Sequence, residues 1–87
     1  MNGTHVLKIE KEFAEAVLSG DKNFEVRYND RGYQKGDRVG FIAVNKGMEQ
    51  FYNPLQDKEY RITYVLSGGG LKDGYVVFGI KEEGEQE

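Results

Sequence analysis

Hydrophobic and polar positions alternate at the start of the chain. In residues 4–9, His5, Leu7 and Ile9 fall on one side and the residues between them on the other. An alternation with a period of two is typical of a β-strand that turns one face toward a core. We therefore predict a first strand here, with His5 as a hydrogen-bonded structural histidine rather than a catalytic base.

The period changes over residues 11–19, where apolar side chains recur three and four positions apart: Phe13, Ala14, Val17 and Leu18. This spacing forms one stripe on an α-helix, because such a helix turns once in about 3.6 residues. Gly20 follows directly, and glycine often ends a helix because it adopts the left-handed conformation without steric cost. We predict a single helix between the first two strands.

Residues 22–28 alternate again. Phe24, Val26 and Tyr28 share one side, and the charged residues between them share the other. We predict a second strand with one apolar face and one charged face. The charged face is either solvated or part of a polar cleft, and periodicity alone does not choose between these two.

Three further strands follow from the same alternation: residues 38–44, 58–66 and 75–80. The last of them is apolar on both faces, which indicates a central position in a sheet. In the fourth strand, the larger apolar residues share one face: Tyr60, Ile62, Tyr64 and Leu66. Residues 45–57 contain the only proline and are predicted to form an irregular connection, with a short strand over residues 48–52 as the alternative.

Five strands and one helix cannot make a well-covered open sheet, because a single helix shields only part of one face. Curling the sheet into a small barrel removes this difficulty. We predict one domain over residues 1–81 of the α+β, mostly β class, in which a barrel is flanked or plugged by the helix. A ferredoxin-like sandwich is the alternative, but it needs two helices.

The formal charge of −3 comes from the end of the chain. Four of the fifteen acidic residues lie in the last six positions, so residues 1–81 hold twelve basic and eleven acidic side chains. We predict that residues 82–87 form an acidic disordered tail. Residues 22–38 hold five basic residues against three acidic ones, so the total charge does not exclude a nucleic-acid partner.

Composition removes several classes of chemistry. The chain has no cysteine and one histidine, which excludes disulfides, thiolate nucleophiles and histidine-rich metal sites. No apolar run approaches the ~20 residues of a membrane span, and the N-terminus lacks the features of a signal peptide. By elimination we expect a soluble, cytoplasmic protein without a metal or a cofactor.

The candidate chemistry lies in residues 22–31. Arg27 suits a bidentate contact with a phosphate or a base edge, Lys22 supplies a point charge, and Glu25 accepts a hydrogen bond from an exocyclic amine. The simpler interpretation is an ion-paired, solvated strand face. Three aromatic residues suit stacking against bases and equally suit a core: Tyr28, Tyr33 and Tyr52.

Several motifs resemble, in order, those of the ASCH (activating signal cointegrator homology) domain of the PUA-like group. The matching segments are HVLKI (5–9), VLSG (17–20), KNFEVR (22–27), NDR (29–31), GD (36–37) and GYVV (74–77). The resemblance covers residues 5–81 and is greatest to a short bacterial and phage branch without an assigned function.

This resemblance implies a pseudo-barrel of five or six strands with a helix between the first two. It also implies a cleft lined by the loop after the helix and by the K-x-x-E-x-R strand. PUA-like domains commonly bind RNA, so the implied partner is RNA or a nucleotide-like ligand. The candidate ligand-binding residues are Lys22, Glu25, Arg27, Asn29, Asp30, Arg31 and Tyr33.

Some ASCH proteins are amidohydrolases that deacylate N4-acetylcytidine, using a Lys, a Thr three residues later and a Glu from a later helix. The Lys corresponds to Lys22, but Glu25 occupies the Thr position and no later helix is predicted. An enzyme here would use Lys22 with Glu25 as a general base for water. We rank RNA binding first, amide hydrolysis second, and protein interaction or ligand sensing third, and we expect a monomer.

Overall fold

A computed structural model describes residues 3–83. Within this range the chain forms five strands, one α-helix and one 3-10 helix: β1 (Thr4–Glu10), α1 (Lys11–Ser19), β2 (Phe24–Tyr28), β3 (Arg38–Val44), the 3-10 helix (Pro54–Asp57), β4 (Tyr60–Ser67) and β5 (Tyr75–Glu82). The predicted α+β, mostly β class, with its helix between the first two strands, is confirmed.

The five strands form one sheet in the order β1-β3-β4-β5-β2. Strand β1 pairs with β3 in parallel, and all other neighbours are antiparallel. The sheet curls into a half-barrel, as the need to cover a five-stranded sheet with one helix predicts. Strands β1 and β2 are its two edges, and β5 lies between β4 and β2, in the interior position that its apolar character predicts.

Helix α1 has the predicted bounds. Gly20 adopts the left-handed conformation, with φ 89°, and its N–H donates to the Val17 carbonyl over 3.0 Å. Ala14 and Val17 are buried, and Leu18 packs against the core. Phe13, the remaining member of the predicted stripe, is exposed. The helix therefore covers the core with only part of its apolar stripe.

The core fills the concave side of the half-barrel. Its members come from all strands except β2, and from α1, the 3-10 helix and the segment before β3: Leu7, Ile9, Ala14, Val17, Tyr33, Val39, Phe41, Leu55, Tyr60, Ile62, Val76, Phe78 and Ile80. In β1, the buried positions are His5, Leu7 and Ile9, which confirms the predicted inward face of this strand.

Strand β4 differs from its predicted face. Tyr60 and Ile62 are buried as expected, but Tyr64 and Leu66 are exposed, and Val65 packs against the core instead. The pairing with β5 shifts register between Ile62 and Tyr64. A β-bulge of this kind inserts one extra residue and so reverses which side chains face inwards.

Strand β2 also differs from the simpler prediction. Its charged face is largely withdrawn from solvent, because Glu25 is only 4% exposed. Its apolar residues Phe24, Val26 and Tyr28 point outwards and are exposed. Strand β2 is one edge of the curled sheet and comes close to the other edge, β1. Its inward side meets backbone carbonyl groups of β1, such as that of Lys8. A buried carboxylate with cationic partners suits that position better than an aromatic ring.

Residues 45–57 are mostly irregular, as predicted. The alternative short strand over residues 48–52 is reduced to one isolated bridge between Val44 and Gln50. Asn53 accepts a hydrogen bond from the Leu55 N–H over 2.9 Å at the start of the 3-10 helix. Leu55 is fully buried, so this connection contributes to the core.

Glu82 and Glu83 have fixed places in the structure, in contrast to the prediction of a disordered tail over residues 82–87. Glu82 belongs to β5 and pairs with Lys58 over 3.0 Å. Glu83 pairs with Arg38 and with Arg61, over 3.4 Å in each case. The remaining part of the predicted tail, residues 84–87, lies outside the described residues. Among residues 3–83 no helix has the length and apolar character needed to span a membrane.

Candidate functional site

The two edges of the half-barrel, β1 and β2, face each other across a gap. The Gly3 carbonyl accepts a hydrogen bond from the Arg38 N–H over 2.9 Å, so the backbone of Gly3 points to β3. Because backbone groups alternate along a strand, the carbonyls of Val6 and Lys8 point the other way, toward the free edge. Edge carbonyls of this kind require partners from outside the sheet.

Two arginine side chains supply those partners. The Arg27 guanidinium donates from Nη2 to the Lys8 carbonyl over 2.9 Å. Arg31 donates from Nη1 to the Val6 carbonyl over 3.3 Å. The edges β1 and β2 are therefore connected through arginine side chains rather than by a ladder of backbone hydrogen bonds. We call this connection the arginine seam.

Glu25 lies beneath the seam and binds two cations. Its Oε1 accepts from Arg27 Nε over 3.0 Å and from Arg27 Nη2 over 2.9 Å. Its Oε2 contacts Lys22 Nζ in a charge-assisted hydrogen bond. A buried carboxylate needs such partners because its removal from water is otherwise unfavourable. The three side chains thus form one ion-paired cluster at the edge of β2.

Lys22 also belongs to an aromatic environment. Its Nζ donates to the Phe24 carbonyl over 2.8 Å and lies 5.1 Å from the ring centre of Phe24 and 5.6 Å from that of Phe13. These distances are within the range of a cation–π interaction. The loop after α1 places Lys22 between the helix and β2, because Lys22 N donates to the Ala16 carbonyl over 2.9 Å.

A cleft of about 560 Å³ opens over this cluster. Its walls come from the end of β1, the start of α1 and the whole charged segment before and within β2: Lys8, Ile9, Glu10, Phe13, Lys22, Phe24, Glu25, Val26 and Arg27. The cleft combines exposed aromatic rings with fixed cations, so it offers both stacking surfaces and hydrogen-bond donors. We call it the seam cleft.

The predicted site residues that follow β2 do not line the seam cleft. Asn29 Oδ1 accepts from the Tyr33 N–H over 3.0 Å, and the Asn29 N–H donates to the Gly74 carbonyl over 2.8 Å. The Asp30 N–H donates to the Tyr28 carbonyl over 2.9 Å. These contacts hold the loop that leads from β2 toward the core. Arg31, by contrast, is part of the arginine seam.

Tyr33 is a core residue and not a stacking platform. It is 5% exposed, and its ring centre lies 4.8 Å from that of His5 and 4.7 Å from that of Phe78. Burial raises the pKa of its phenol above the ordinary value, although Arg27 and Arg31 act in the opposite direction. The interpretation of Tyr33 as a ligand-binding residue is therefore replaced by a packing role.

His5 has the structural role that its position in β1 predicts. Its Nε2 lies 2.8 Å from Asp37 Oδ2 in a buried pair. Asp37 also accepts from the backbone N–H groups of Gly3 and Gln34, each over 3.0 Å. Burial alone would raise the pKa of Asp37, but the hydrogen bonds from His5, Gly3 and Gln34 hold that pKa below its ordinary value.

The other two aromatic candidates lie away from the seam cleft. Tyr28 is exposed on the outer side of β2, and Tyr52 is exposed on the irregular connection, where its hydroxyl contacts Asp57.

The sequence did not point to Phe13 and Phe24 as cleft residues. The alternation of β2 carries the signal for Phe24. Neighbouring side chains in a strand point to opposite faces, so Phe24 must face outwards if Glu25 faces inwards. Within residues 3–83, no cluster of three potential metal-ligating side chains occurs.

The fold and the site define a small β half-barrel whose open edges are joined by arginines above a buried glutamate. The chain belongs to the family described as a domain of unknown function (DUF3850), which matches residues 4–80. That range includes the seam cleft and the arginine seam. A comparison with curated proteins finds no match to this chain.

Proposed function

We propose that the protein is an RNA-binding domain and that the seam cleft holds one unpaired nucleotide. The observation that carries this proposal is the combination in one cleft of two exposed aromatic rings with a cation held between them. Phe13 and Phe24 offer faces for a base, and Lys22 Nζ lies within 5.6 Å of both ring centres. Base stacking on aromatic side chains is the usual way of binding unpaired nucleotides.

The ion-paired cluster supports a positioning role for Glu25. Both of its oxygens already accept hydrogen bonds from Lys22 and Arg27, so the carboxylate fixes these two cations at the cleft wall. Fixed donors lose less side-chain entropy on binding than free ones. Because Glu25 offsets one of the two positive charges, we expect a pocket-specific ligand rather than broad adhesion to a polyanion.

The resemblance to the ASCH domain supports the same proposal. The KNFEVR segment that carries this resemblance supplies five of the cleft-lining residues: Lys22, Phe24, Glu25, Val26 and Arg27. RNA or a nucleotide-like ligand is the partner that the resemblance implies. The expectations of a monomer and of a cytoplasmic protein remain predictions.

The test is RNA binding at two salt concentrations. Anisotropy of a fluorescein-labelled oligouridine is measured at about 50 and about 200 mM salt, and each phosphate contacted adds roughly −0.7 to the slope of log affinity against log salt. We expect Lys22→Ala to weaken binding about tenfold and to make the salt slope shallower. Lys35→Ala, which removes the same charge from an exposed turn, serves as the matched control. Equal affinities of both variants would contradict the proposal.

Amide hydrolysis is the second candidate, and the contact between Lys22 and Glu25 at the cleft wall favours it. A carboxylate beside a cation can act as a general base for water. It ranks second because Glu25 Oε1 is occupied twice by Arg27. Incubation with N4-acetylcytidine and a panel of small amides tests it, with Glu25→Gln as the control. Turnover no faster than that of Glu25→Gln removes this candidate.

A further inference from the structure

Five charged side chains line the seam cleft, and they fall into two groups. Lys22, Glu25 and Arg27 are joined to one another in the ion-paired cluster. Lys8 and Glu10, both near the end of β1, line the cleft as well. Among residues 3–83, no ion pair and no side-chain hydrogen bond includes either of these two. The cleft therefore holds one carboxylate and one ammonium group that the fold leaves unpaired.

The two unpaired groups share one side of β1. Lys8 and Glu10 stand on either side of the buried Ile9, and residues two apart in a strand point to the same face. Lys8 is exposed, whereas Glu10 is half-buried. The carboxylate is thus the more enclosed of the two groups, and a ligand in the cleft meets both of them.

Glu10 is also the N-cap residue of α1, but its side chain does not cap the helix. Its backbone is extended, with φ −72° and ψ 152°, and its carboxylate makes no hydrogen bond to the N–H groups of the first turn. Shorter side chains, those of Ser, Thr, Asp and Asn, are the usual N-caps. The positive end of the helix dipole still favours a negative charge at this position. Glu10 is therefore available to accept hydrogen bonds from a ligand.

Glu10 also lines a smaller cavity of about 280 Å³ over the first turn of α1. The other charged walls of this cavity are Lys11, Glu12, Glu15 and Lys46. In the described part of the chain, neither of the two lysines forms an ion pair with Glu10, and none of the residues that line this cavity is aromatic. The stacking surface and the free carboxylate therefore occur together in the seam cleft.

We propose that the nucleotide in the seam cleft is a guanosine and that Glu10 accepts two hydrogen bonds from its base. Guanine carries two neighbouring donors on one edge, N1–H and the N2 amino group. The two oxygens of a carboxylate accept such a pair side by side, as they do from an arginine. Phe13 lies three positions after Glu10, at the spacing of neighbours on one helix face, and supplies a ring for stacking. Lys8 supplies a charge for the phosphate. The inference rests on the proposed function for the class of ligand.

The other three bases suit the Glu10 carboxylate less well. Adenine and cytosine each have an acceptor nitrogen beside the amino donor, and uracil has one N–H between two carbonyl oxygens. Each of them brings an acceptor toward a carboxylate that can only accept. A site built for hydrogen bonding binds an analogue that lacks the donors more weakly. Uridine is therefore held by stacking alone, and guanosine by stacking together with the two hydrogen bonds.

The test compares three labelled RNA strands of about 12 nucleotides, a length within the range that small single-strand-binding folds cover. They are an oligouridine, the same strand with one central guanosine, and the same strand with one central inosine, which lacks the N2 amino group. We expect the wild type to bind the guanosine strand about tenfold more tightly than the oligouridine, a typical discrimination for a bidentate pair of hydrogen bonds. The inosine strand should bind more weakly than the guanosine strand.

Glu10→Gln is the variant that tests the role of the carboxylate. The readout is the ratio of the affinities for the guanosine strand and the oligouridine. This ratio is insensitive to the loss of one negative charge near RNA and to a smaller fraction of folded protein, because both affect the two strands alike. We expect Glu10→Gln to reduce the ratio from about ten to about one to two. Glu12→Gln removes the same charge from an exposed position in the first turn of α1, outside the seam cleft, and should keep the wild-type ratio.

The outcomes separate this inference from the proposed function. Equal affinities of the wild type for all three strands would overturn the inference, while weaker binding of every strand by Lys22→Ala would still support the proposed function. A guanosine preference that Glu10→Gln retains would also overturn the inference. Failure of the proposed function appears instead as Lys22→Ala and Lys35→Ala having equal affinity for each strand.

Discussion

The Glu25 side chain is buried, with 4% of the residue surface exposed, between Lys22 and Arg27. Both cations donate hydrogen bonds to its carboxylate. A carboxylate buried in this way is tolerated only if its partners stay in place. Because β2 alternates, the inward position of Glu25 also determines that Phe24 and Val26 are outward. One buried residue thus positions the cations of the seam cleft and the outward side chains of β2 together.

Replacing Glu25 by Gln tests this arrangement at the level of stability. The variant leaves Lys22 and Arg27 without their anion, and breaking a buried ion pair typically costs about 3–5 kcal/mol. Lys22 and Arg27 retain some solvent contact, so we expect a loss of about 2–3 kcal/mol in the free energy of unfolding, measured by urea denaturation. Glu15→Gln, on the exposed side of α1, should change it by less than about 0.5 kcal/mol. Equal stabilities of the two variants would contradict the role given to Glu25.

The buried pair of His5 and Asp37 predicts how stability depends on pH. The pKa of Asp37 is lower in the folded protein than its ordinary value of 3.8, so the folded state favours the ionised carboxylate. Its contribution is complete above pH 3.8 and is lost as the pH falls through the folded pKa. We expect Asp37→Asn to be less stable than the wild type at neutral pH, and this difference to shrink on acidification.

Urea denaturation between neutral pH and about pH 2 measures this effect. Asp73→Asn, at an exposed turn, is the control and should follow the wild type at every pH. A difference between Asp37→Asn and the wild type that stays constant over the whole range would show that the pairing with His5 and the two backbone groups does not perturb Asp37.

At the scale of elements, periodicity was sufficient to predict which side chains point inwards where one face of an element meets the core. Strand β1 and helix α1 have their predicted inward residues, with the exception of Phe13. Periodicity did not predict the inward residues of β4 correctly, because a bulge between Ile62 and Tyr64 reverses the alternation. This bulge has no distinct signal in the sequence. In β2, alternation predicted a strand and left open whether its charged face was solvated.

The candidate site was predictable to the same extent. The motif identified Lys22, Glu25 and Arg27, which the structure brings together at one cleft. Tyr33 belongs to the core instead, because the loop after β2 turns inwards through hydrogen bonds made by Asn29. The role of the β1 carbonyls was beyond a sequence argument, since it depends on β1 and β2 being the two edges of the sheet.

Gly74 provides a prediction for the hairpin between β4 and β5. Its φ is 85° and an added Cβ would lie 2.6 Å from Tyr28 Cε1, so Gly74→Ala combines backbone strain with a steric clash. We expect a loss of about 2–4 kcal/mol in the free energy of unfolding, of which strain accounts for about 1–2 kcal/mol. Gly70→Ala is the matched control, because Gly70 has φ 94° and open space around it. If both variants lose the same amount, the Tyr28 ring does not rest on Gly74 in solution.

For the whole molecule, charge is distributed in local pairs rather than in one field. Residues 3–83 hold twelve basic and thirteen acidic side chains. Arg38, Lys58 and Arg61 are paired with carboxylates near the starts of β3 and β4 and the end of β5. A nearly neutral surface does not attract polyanions over long distances. Any affinity for a nucleic acid must therefore arise from the seam cleft, where a cation stands beside aromatic rings.

The arginine seam closes the half-barrel as a whole, and Arg27→Lys tests its importance. Lysine keeps the positive charge near Glu25, but a single ammonium group cannot reproduce the fork of bonds to both Glu25 and the Lys8 carbonyl. We expect a loss of about 1–2 kcal/mol in the free energy of unfolding. We also expect faster amide hydrogen exchange in β1 and β2 than in the wild type, with unchanged exchange between β4 and β5.

This pattern is expected because the seam joins two edges, so weakening it permits a local opening that leaves the central ladder intact. Arg38→Lys is the matched control. The carboxylate partners of Arg38 are at 3.4 and 3.9 Å and are partly exposed, so we expect this variant to lose close to zero in the free energy of unfolding. Faster exchange in all five strands would indicate global destabilisation. Unchanged exchange in β1 and β2 would mean that packing of the core, rather than the seam, holds the two edges together.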